Sequence, residues 1–195
     1  MERSTRRGFL LTGAFAGLAI AGAHELPAQE LTPTPACHDG DEPTVRQTEG
    51  PFFKPKSPER SDLRQSGGKT TPVQLSGLVL TRRCQPVVRA LVDLWHADEN
   101  GDYDNSGFRY RGHQFTDASG LYRFHTIMPA VYVGRTRHYH VRVQAPRGRV
   151  LTTQLYFPDE PGNGRDGLFR RDLLMRVAQS GDGLISHFDF VLDMR

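Results

Sequence analysis

The sequence predicts an all-β fold: a single β-sandwich domain with long loops and an extended N-terminal arm. Short runs rich in Val, Leu, Tyr and Phe recur from residue 74 onward, separated by turn residues. The chain carries 20 Gly and 13 Pro, which suits many tight connections. Only Arg170–Ala178 reads as helical, and no internal repeat is visible.

Taken in order, the first segment reads as an address. Thr5-Arg6-Arg7-Gly8-Phe9-Leu10-Leu11 precedes a small, apolar stretch that ends in Ala21-Gly22-Ala23, a pattern that resembles a twin-arginine export signal over 1–23. The stretch is short and rich in Gly and Ala, so stable membrane insertion is not expected. The translocation machinery is then a partner, and the mature chain is periplasmic or extracellular. Residues 24–71 form the arm, dense in Pro, Thr, Asp and Gly without apolar periodicity. Residues 72–195 form the sandwich. Its expected strands are Gln74–Leu80, Val87–His96, Gly112–Thr116, Leu121–Ile127, His138–Ala145 and Leu151–Phe157, with Leu184–Leu192 as a closing strand. Asp117-Ala118-Ser119-Gly120 marks a hairpin turn. Cys37 and Cys84 are the two cysteines, and an oxidising compartment favours a disulfide between them.

The formal charge of +3 shrinks to +1 once the +2 of residues 1–23 is set aside. With no run of Lys and Arg interleaved with aromatics, nucleic acid is not an expected partner.

The chemistry-bearing pattern is His138-Tyr139-His140-Val141-Arg142-Val143. Strand alternation puts both histidines and Arg142 on one face, and Tyr139, Val141 and Val143 on the core face. A His-x-His pair can hold a metal, but it also occurs without one. Tyr103 and Tyr132 lie in loop sequences near the pair. Phenolate with imidazole suits a hard trivalent iron better than zinc, whose usual ligands are Cys, His and carboxylate; each tyrosine alone is more often an amphipathic packing residue, and nothing local ranks these two above the other four.

Several stretches together resemble the intradiol ring-cleavage dioxygenase family. They are Gln47-Thr48-Glu49-Gly50-Pro51-Phe52-Phe53, Leu94–Asp98 through Gly101-Asp102-Tyr103, Thr116–Tyr122, the Tyr-x-x-Arg-x-x-His-x-His pattern from Tyr132 to His140, and Thr153–Phe157. The resemblance implies that 72–195 is an iron-binding catalytic domain holding Fe(3+) through Tyr103, Tyr132, His138 and His140. It implies that Arg135 and Gln154 lie beside substrate, that Tyr132 takes a substrate proton, and that the reaction consumes a catechol-type diol and O2. Two departures stand out: relatives commonly have Pro-Gly before the second tyrosine and Pro after it, where Ala130 and Val133 stand here. Arg109, Arg111 and Arg137 lie near the site segments and read first as surface charges, with a preference for an acidic ring substituent as the alternative. His24, His38, His96, His113, His125 and His187 read as structural or exposed. The rival reading is a secreted, non-catalytic β-sandwich binding module. A homo-oligomer is compatible with either.

Overall fold

The computed structural model describes residues 42–66 and 70–194. The expected export segment 1–23, His24, His38 and Cys37 lie outside the described residues. Cys84 is disulfide-bonded. Among the described residues no helix is long and apolar enough to cross a membrane.

The strands are β1 (Pro72–Thr81), β2 (Leu91–Trp95), β3 (Arg111–Phe115), β4 (Leu121–Ile127), β5 (His138–Gln144), β6 (Val150–Tyr156), β7 (Arg176–Ser180), β8 (Gly183–His187) and β9 (Phe190–Leu192). One sheet runs β4-β1-β8-β7 with β9 also on β1, and the other runs β3-β2-β5-β6. Alternation explains why they pack. Val73 and Leu75 of β1 with Phe124 of β4 supply one inner face; Leu94 of β2 with Tyr139, Val141 and Val143 of β5 supply the other. Each such side chain contributes about 1.5–3 kcal/mol by leaving water.

The long strand β1 serves two partners in succession. Val73–Ser76 pair with β8 and Val79–Thr81 with β9, both in parallel. Between them the Asp189 carboxylate accepts the Leu78 amide at 2.6 Å, and Tyr122 donates to the Phe188 carbonyl at 2.7 Å. The expected closing strand is therefore two strands with a step at Phe188-Asp189.

Two other boundaries differ from expectation. Val87 is buried, but Val88 and Arg89 turn before β2 begins at Leu91. The Thr116 hydroxyl fixes that turn, accepting from the Ala90 amide at 2.8 Å and donating to the Val87 carbonyl at 2.6 Å. Thr116→Val is expected to cost about 2–3 kcal/mol, because it orphans two buried backbone groups; urea unfolding reads this, and a loss below about 0.5 kcal/mol would remove the hydroxyl from the account. In Arg170–Ala178 the helical expectation fails. Only Arg171–Leu173 form a 3-10 turn, and Arg176–Ser180 are strand. Met175 donates to the Tyr156 carbonyl at 2.9 Å and β7 pairs along β8, so sheet contacts override local helix propensity.

The arm is extended and tied down along its length. Thr44 donates to the Val191 carbonyl, Gln47 to Thr152, Arg60 to His113 and Leu63 to His125, at 2.8–2.9 Å. It thus crosses from β9 over β6 and β3 to β4, covering strand edges that would otherwise stay open.

Candidate metal centre

Strand register places four side chains in one row across the outer face of the second sheet. Arg111 pairs with Trp95, Trp95 with His140, and His140 with Gln154. An outer face of this kind normally meets water, yet Arg111, Trp95, His140 and Gln154 are all no more than 3% exposed. The arm is the reason. The backbone at Gly50 passes so close to His140 that an added Cβ would come 3.3 Å from the ring's Cε1. The Thr48 carbonyl accepts from Gln154 Nε2 at 3.0 Å.

Trp95 stacks on His140 with centroids 5.0 Å apart and planes 8° from parallel. His138 Nδ1 donates to the Thr136 carbonyl at 2.7 Å, which leaves Nε2 with its lone pair. The two Nε2 atoms are 3.1 Å apart. Tyr103 Oη lies 3.1 Å from His140 Nε2 and 3.3 Å from His138 Nε2. Tyr132 stands edge-on to Tyr103 at 5.7 Å between centroids, and Phe52 of the arm stacks on Tyr103 at 4.4 Å and meets Tyr132 edge-on at 5.3 Å.

Three donor atoms 3.1–3.3 Å from one another fit a common first-row metal ion, since donors roughly 2.0–2.1 Å from such an ion sit about 3.0–3.4 Å apart. Too few protons lie between them for hydrogen bonds to satisfy every lone pair, and His140 Nδ1 is buried with no hydrogen-bond partner. Among the described residues no three His, Cys, Asp or Glu side chains cluster to hold a metal. The donors on offer are imidazole and phenol, which suit iron.

Two loops bring the tyrosines in, and Asp98 organises both. Its Oδ1 accepts the Asn100 and Asp102 amides at 2.8 and 3.0 Å, its Oδ2 pairs with Arg109, and its carbonyl accepts the Ala130 amide at 2.9 Å. Gly101, at φ +91°, lies against the Val131 carbonyl, where a Cβ would come to 2.5 Å. Arg135 is held by Asp166 at 2.9 and 3.1 Å through Nε and by the Gln154 Oε1 at 2.6 Å through Nη2. Arg111 is not a surface charge: it is 2% exposed and donates to the carbonyls of Phe52 and Asp104 at 2.6 and 3.1 Å. Arg109 pairs with Asp98 and Arg137 with Glu160.

Sequence reasoning gave no role to Asp98, Asp166, Phe52 or Trp95. Phe52, Trp95 and Asp98 fall inside the stretches that carry the resemblance. Asp166 had no such signal, lying 31 residues from Arg135 in an irregular loop. His96 is structural as expected: its ring nitrogens contact the Ala97 carbonyl at 2.7 Å and Thr126 Oγ1 at 2.6 Å. His113 approaches Ser57 Oγ at 3.1 Å, and His187 lies 3.0 Å from Asp189.

Burial moves the titrations. It pushes His96 and His138 down to about 4 and His140 well below its ordinary value, so all three are neutral at pH 7, the form a metal needs. Burial pushes the Tyr103 phenol up, against the opposing charges of Arg135 and Arg111, so a cation is required to ionise it. An unfolded chain protonates these histidines near 6.5 and the folded chain does so only at lower pH. As pH falls below about 6.5 the unfolded state binds more protons, and stability is lost progressively until the folded values are reached. Metal-free protein is therefore expected to show a lower urea midpoint at pH 5 than at pH 7.5; equal midpoints would count against neutral, buried imidazoles.

Residues 48–194 match a family model described as dioxygenase. A hydroxyquinol 1,2-dioxygenase from Rhodococcus opacus is 33% identical over 153 residues, 65% of this chain and 49% of that protein. The dioxygenase domain of a dioxygenase carbohydrate-binding protein fusion from the cellulolytic bacterium Streptomyces sp. SirexAA-E superposes with a TM-score of 0.77 at 52% identity, covering 79% of this chain and 100% of that one. Catechol 1,2-dioxygenase from Pseudomonas arvilla C-1 superposes at 0.70 with 26% identity, covering 77% and 62%. The chain spans about half the length of the curated relatives it matches first. With the matched segment holding the Tyr-x-x-Arg-x-x-His-x-His pattern and both sheets of the sandwich, the chain belongs to the intradiol dioxygenase family.

Proposed function

We propose that the chain is a non-haem iron(III) intradiol dioxygenase, which inserts both atoms of O2 into a catechol-type diol and releases a muconate-type dicarboxylate. The observation that carries this reading is the convergence of Tyr103 Oη, His138 Nε2 and His140 Nε2 within 3.3 Å of one another, with Tyr132 edge-on beside them. Those four residues would hold the iron. Bound there, iron(III) supplies a Lewis acid that draws electron density from a chelated diol and makes its ring reactive toward dioxygen.

The remaining roles belong to the protein. Tyr132, in its loop, accepts the proton of a ring hydroxyl at its phenolic oxygen. Arg135 stabilises negative charge that develops on oxygen; Asp166 and Gln154 grip its guanidinium and limit its rotation. Gln154 is itself fixed by the Thr48 carbonyl and by the Tyr156 hydroxyl at 3.1 Å. Phe52 and Trp95 wall off water on two sides. The substrate supplies all four electrons, so no reductant is consumed. In the same reading, residues 1–23 export the protein to the periplasm or beyond, on the strength of the twin-arginine pattern.

The test is metal analysis with a visible spectrum of natively purified protein, before and after catechol is added without oxygen. About one ferric iron per chain, with a phenolate charge-transfer band that moves to longer wavelength on adding catechol, is the expected result, followed by ring-cleaved product under oxygen. A colourless protein that stays metal-free after iron reconstitution would leave the binding-module reading in its place.

A further inference from the structure

Tyr103 reaches the histidine pair from a loop that is closed on itself just beyond it. The Asp104 carboxylate accepts the Ser106 and Gly107 amides at 3.0 and 2.7 Å through Oδ1, and the Arg109 amide at 2.8 Å through Oδ2. Residues 104–109 therefore move as one unit. The arm holds that unit at its far end, where Lys54 Nζ donates to the Gly107 carbonyl at 2.6 Å and Arg60 Nη2 donates to the Phe108 carbonyl. Neither tie adjoins Tyr103.

Arg111 does. Its Nε donates at 3.1 Å to the carbonyl of Asp104, the residue after Tyr103, and its Nη1 donates at 2.6 Å to the carbonyl of Phe52, whose ring stacks on Tyr103. One planar guanidinium thus joins the arm to the loop on either side of a proposed metal donor. The side chain is almost fully buried, and its Nη2 has no hydrogen-bond partner. Burying a guanidinium with an unmet donor is unfavourable, and packing alone would be served as well by an apolar side chain. The base of the side chain is itself fixed. Arg60 Nε and Nη2 donate to the Arg111 carbonyl at 3.1 and 2.9 Å, and pairing of β3 with β2 sets Arg111 opposite Trp95, which stacks on His140. A rigid fork rooted in the histidine sheet therefore carries the sheet's position to Tyr103.

We propose that Arg111 is a positioning residue for the metal centre: by bridging the Asp104 and Phe52 carbonyls it sets where the Tyr103 phenol stands relative to the two histidines. The inference rests on the dioxygenase reading and adds to it a residue that belongs neither to the donor set nor to the substrate contacts. Lysine cannot take the role, because an ammonium on a flexible stem keeps the charge and loses the fixed two-carbonyl fork.

The experiment compares wild type with Arg111→Lys, Arg111→Met and, as a control that cuts only the far tie, Lys54→Met. Hydrogen exchange in metal-free protein reads residues 48–56 and 102–108. Iron retained against a chelator and the visible phenolate band read the centre, and kcat and KM for catechol are taken per bound iron. Both Arg111 variants are expected to exchange faster in both segments and to hold iron about 10–100-fold more weakly. Their phenolate band should change in energy or intensity, and kcat should fall while KM for catechol stays within about twofold. Lys54→Met should keep the wild-type band. A lower thermal midpoint with exchange and band unchanged would leave Arg111 only a structural role and overturn the proposal. Wild-type behaviour of Arg111→Lys would also overturn it, since charge alone would then suffice, as would an equal band change in Lys54→Met. Should the Arg111 variants fail to fold, exchange of the wild type in rising denaturant decides: the two segments are expected to open together, and separate openings would overturn the bridge. Failure of the dioxygenase reading is a separate result: the wild type takes up no iron and consumes no diol, while exchange in metal-free protein still reports on the bridge.

Discussion

Gly101→Ala is expected to strip most of the iron from the protein while leaving the sandwich folded. The residue sits at φ +91°, where a side chain costs about 1–3 kcal/mol. The space is also taken, because the new methyl would lie 2.5 Å from the Val131 carbonyl. That obstacle is backbone, so relief comes from moving one loop away from the other. The two loops carry Tyr103 and Tyr132, so the strain is released by displacing both proposed metal donors relative to the histidines. A fall of about 10–100-fold in iron affinity is the scale seen when groups that orient a ligand are disturbed. Iron retained after matched dialysis against a chelator reads the effect, and far-ultraviolet circular dichroism checks the fold. A variant with full iron content and an unshifted visible band would show that the loops separate without cost to the site.

His140→Ala and Tyr132→Phe are expected to fail in different ways. His140 is 3% exposed, sandwiched by Trp95 and the arm, and one of three converging donors. Its loss removes a donor that nothing nearby replaces, so iron content should fall at least as far as in Gly101→Ala and activity should vanish with it. Tyr132 lies in a partly exposed loop. With phenylalanine there, Tyr103 and both histidines keep their positions, so iron should stay measurable. Turnover should then drop by about 10²–10⁴-fold, the range for removing a general base. Comparable iron content and turnover in the two variants would sink this division of roles.

Most of the sandwich was legible because its strands alternate. His138–Gln144 reads as two interleaved sets, and the structure buries Tyr139, Val141 and Val143 in the core. Alternation does not say that the outer set is covered. The histidine face is dry only because residues some 90–100 positions earlier lie on it, and no local pattern encodes that. The reading failed where tertiary contacts outweigh local preference. Arg170–Ala178 contains good helix formers, yet Leu173 is fully buried and Leu174 bridges to Tyr156. Leu184–Leu192 looked continuous because a step between two partners on one strand leaves the apolar pattern unbroken. At the site, the resemblance pointed to Tyr103, Tyr132, His138, His140, Arg135 and Gln154; the structure brings both tyrosines to the histidine pair and ties Arg135 to Gln154. The resemblance gave no hint of Asp166 or of burial at Arg111, because ion-pair partners and desolvation depend on loops whose spacing is free.

The arm that seals the histidines also sets an order of events. Thr44, Gln47 and Thr48 find their partners at Val191, Thr152 and Gln154, each more than 100 residues later in the chain. The covering segment is therefore made first and docks last, since contacts of such separation form only after the intervening chain has been organised. Until then the imidazoles are open to solvent, and afterwards the Gly50 backbone lies against one of them. A metal taken up at this site would enter most easily in that interval, so the history of a given molecule, and not only its sequence, would decide whether the site is filled.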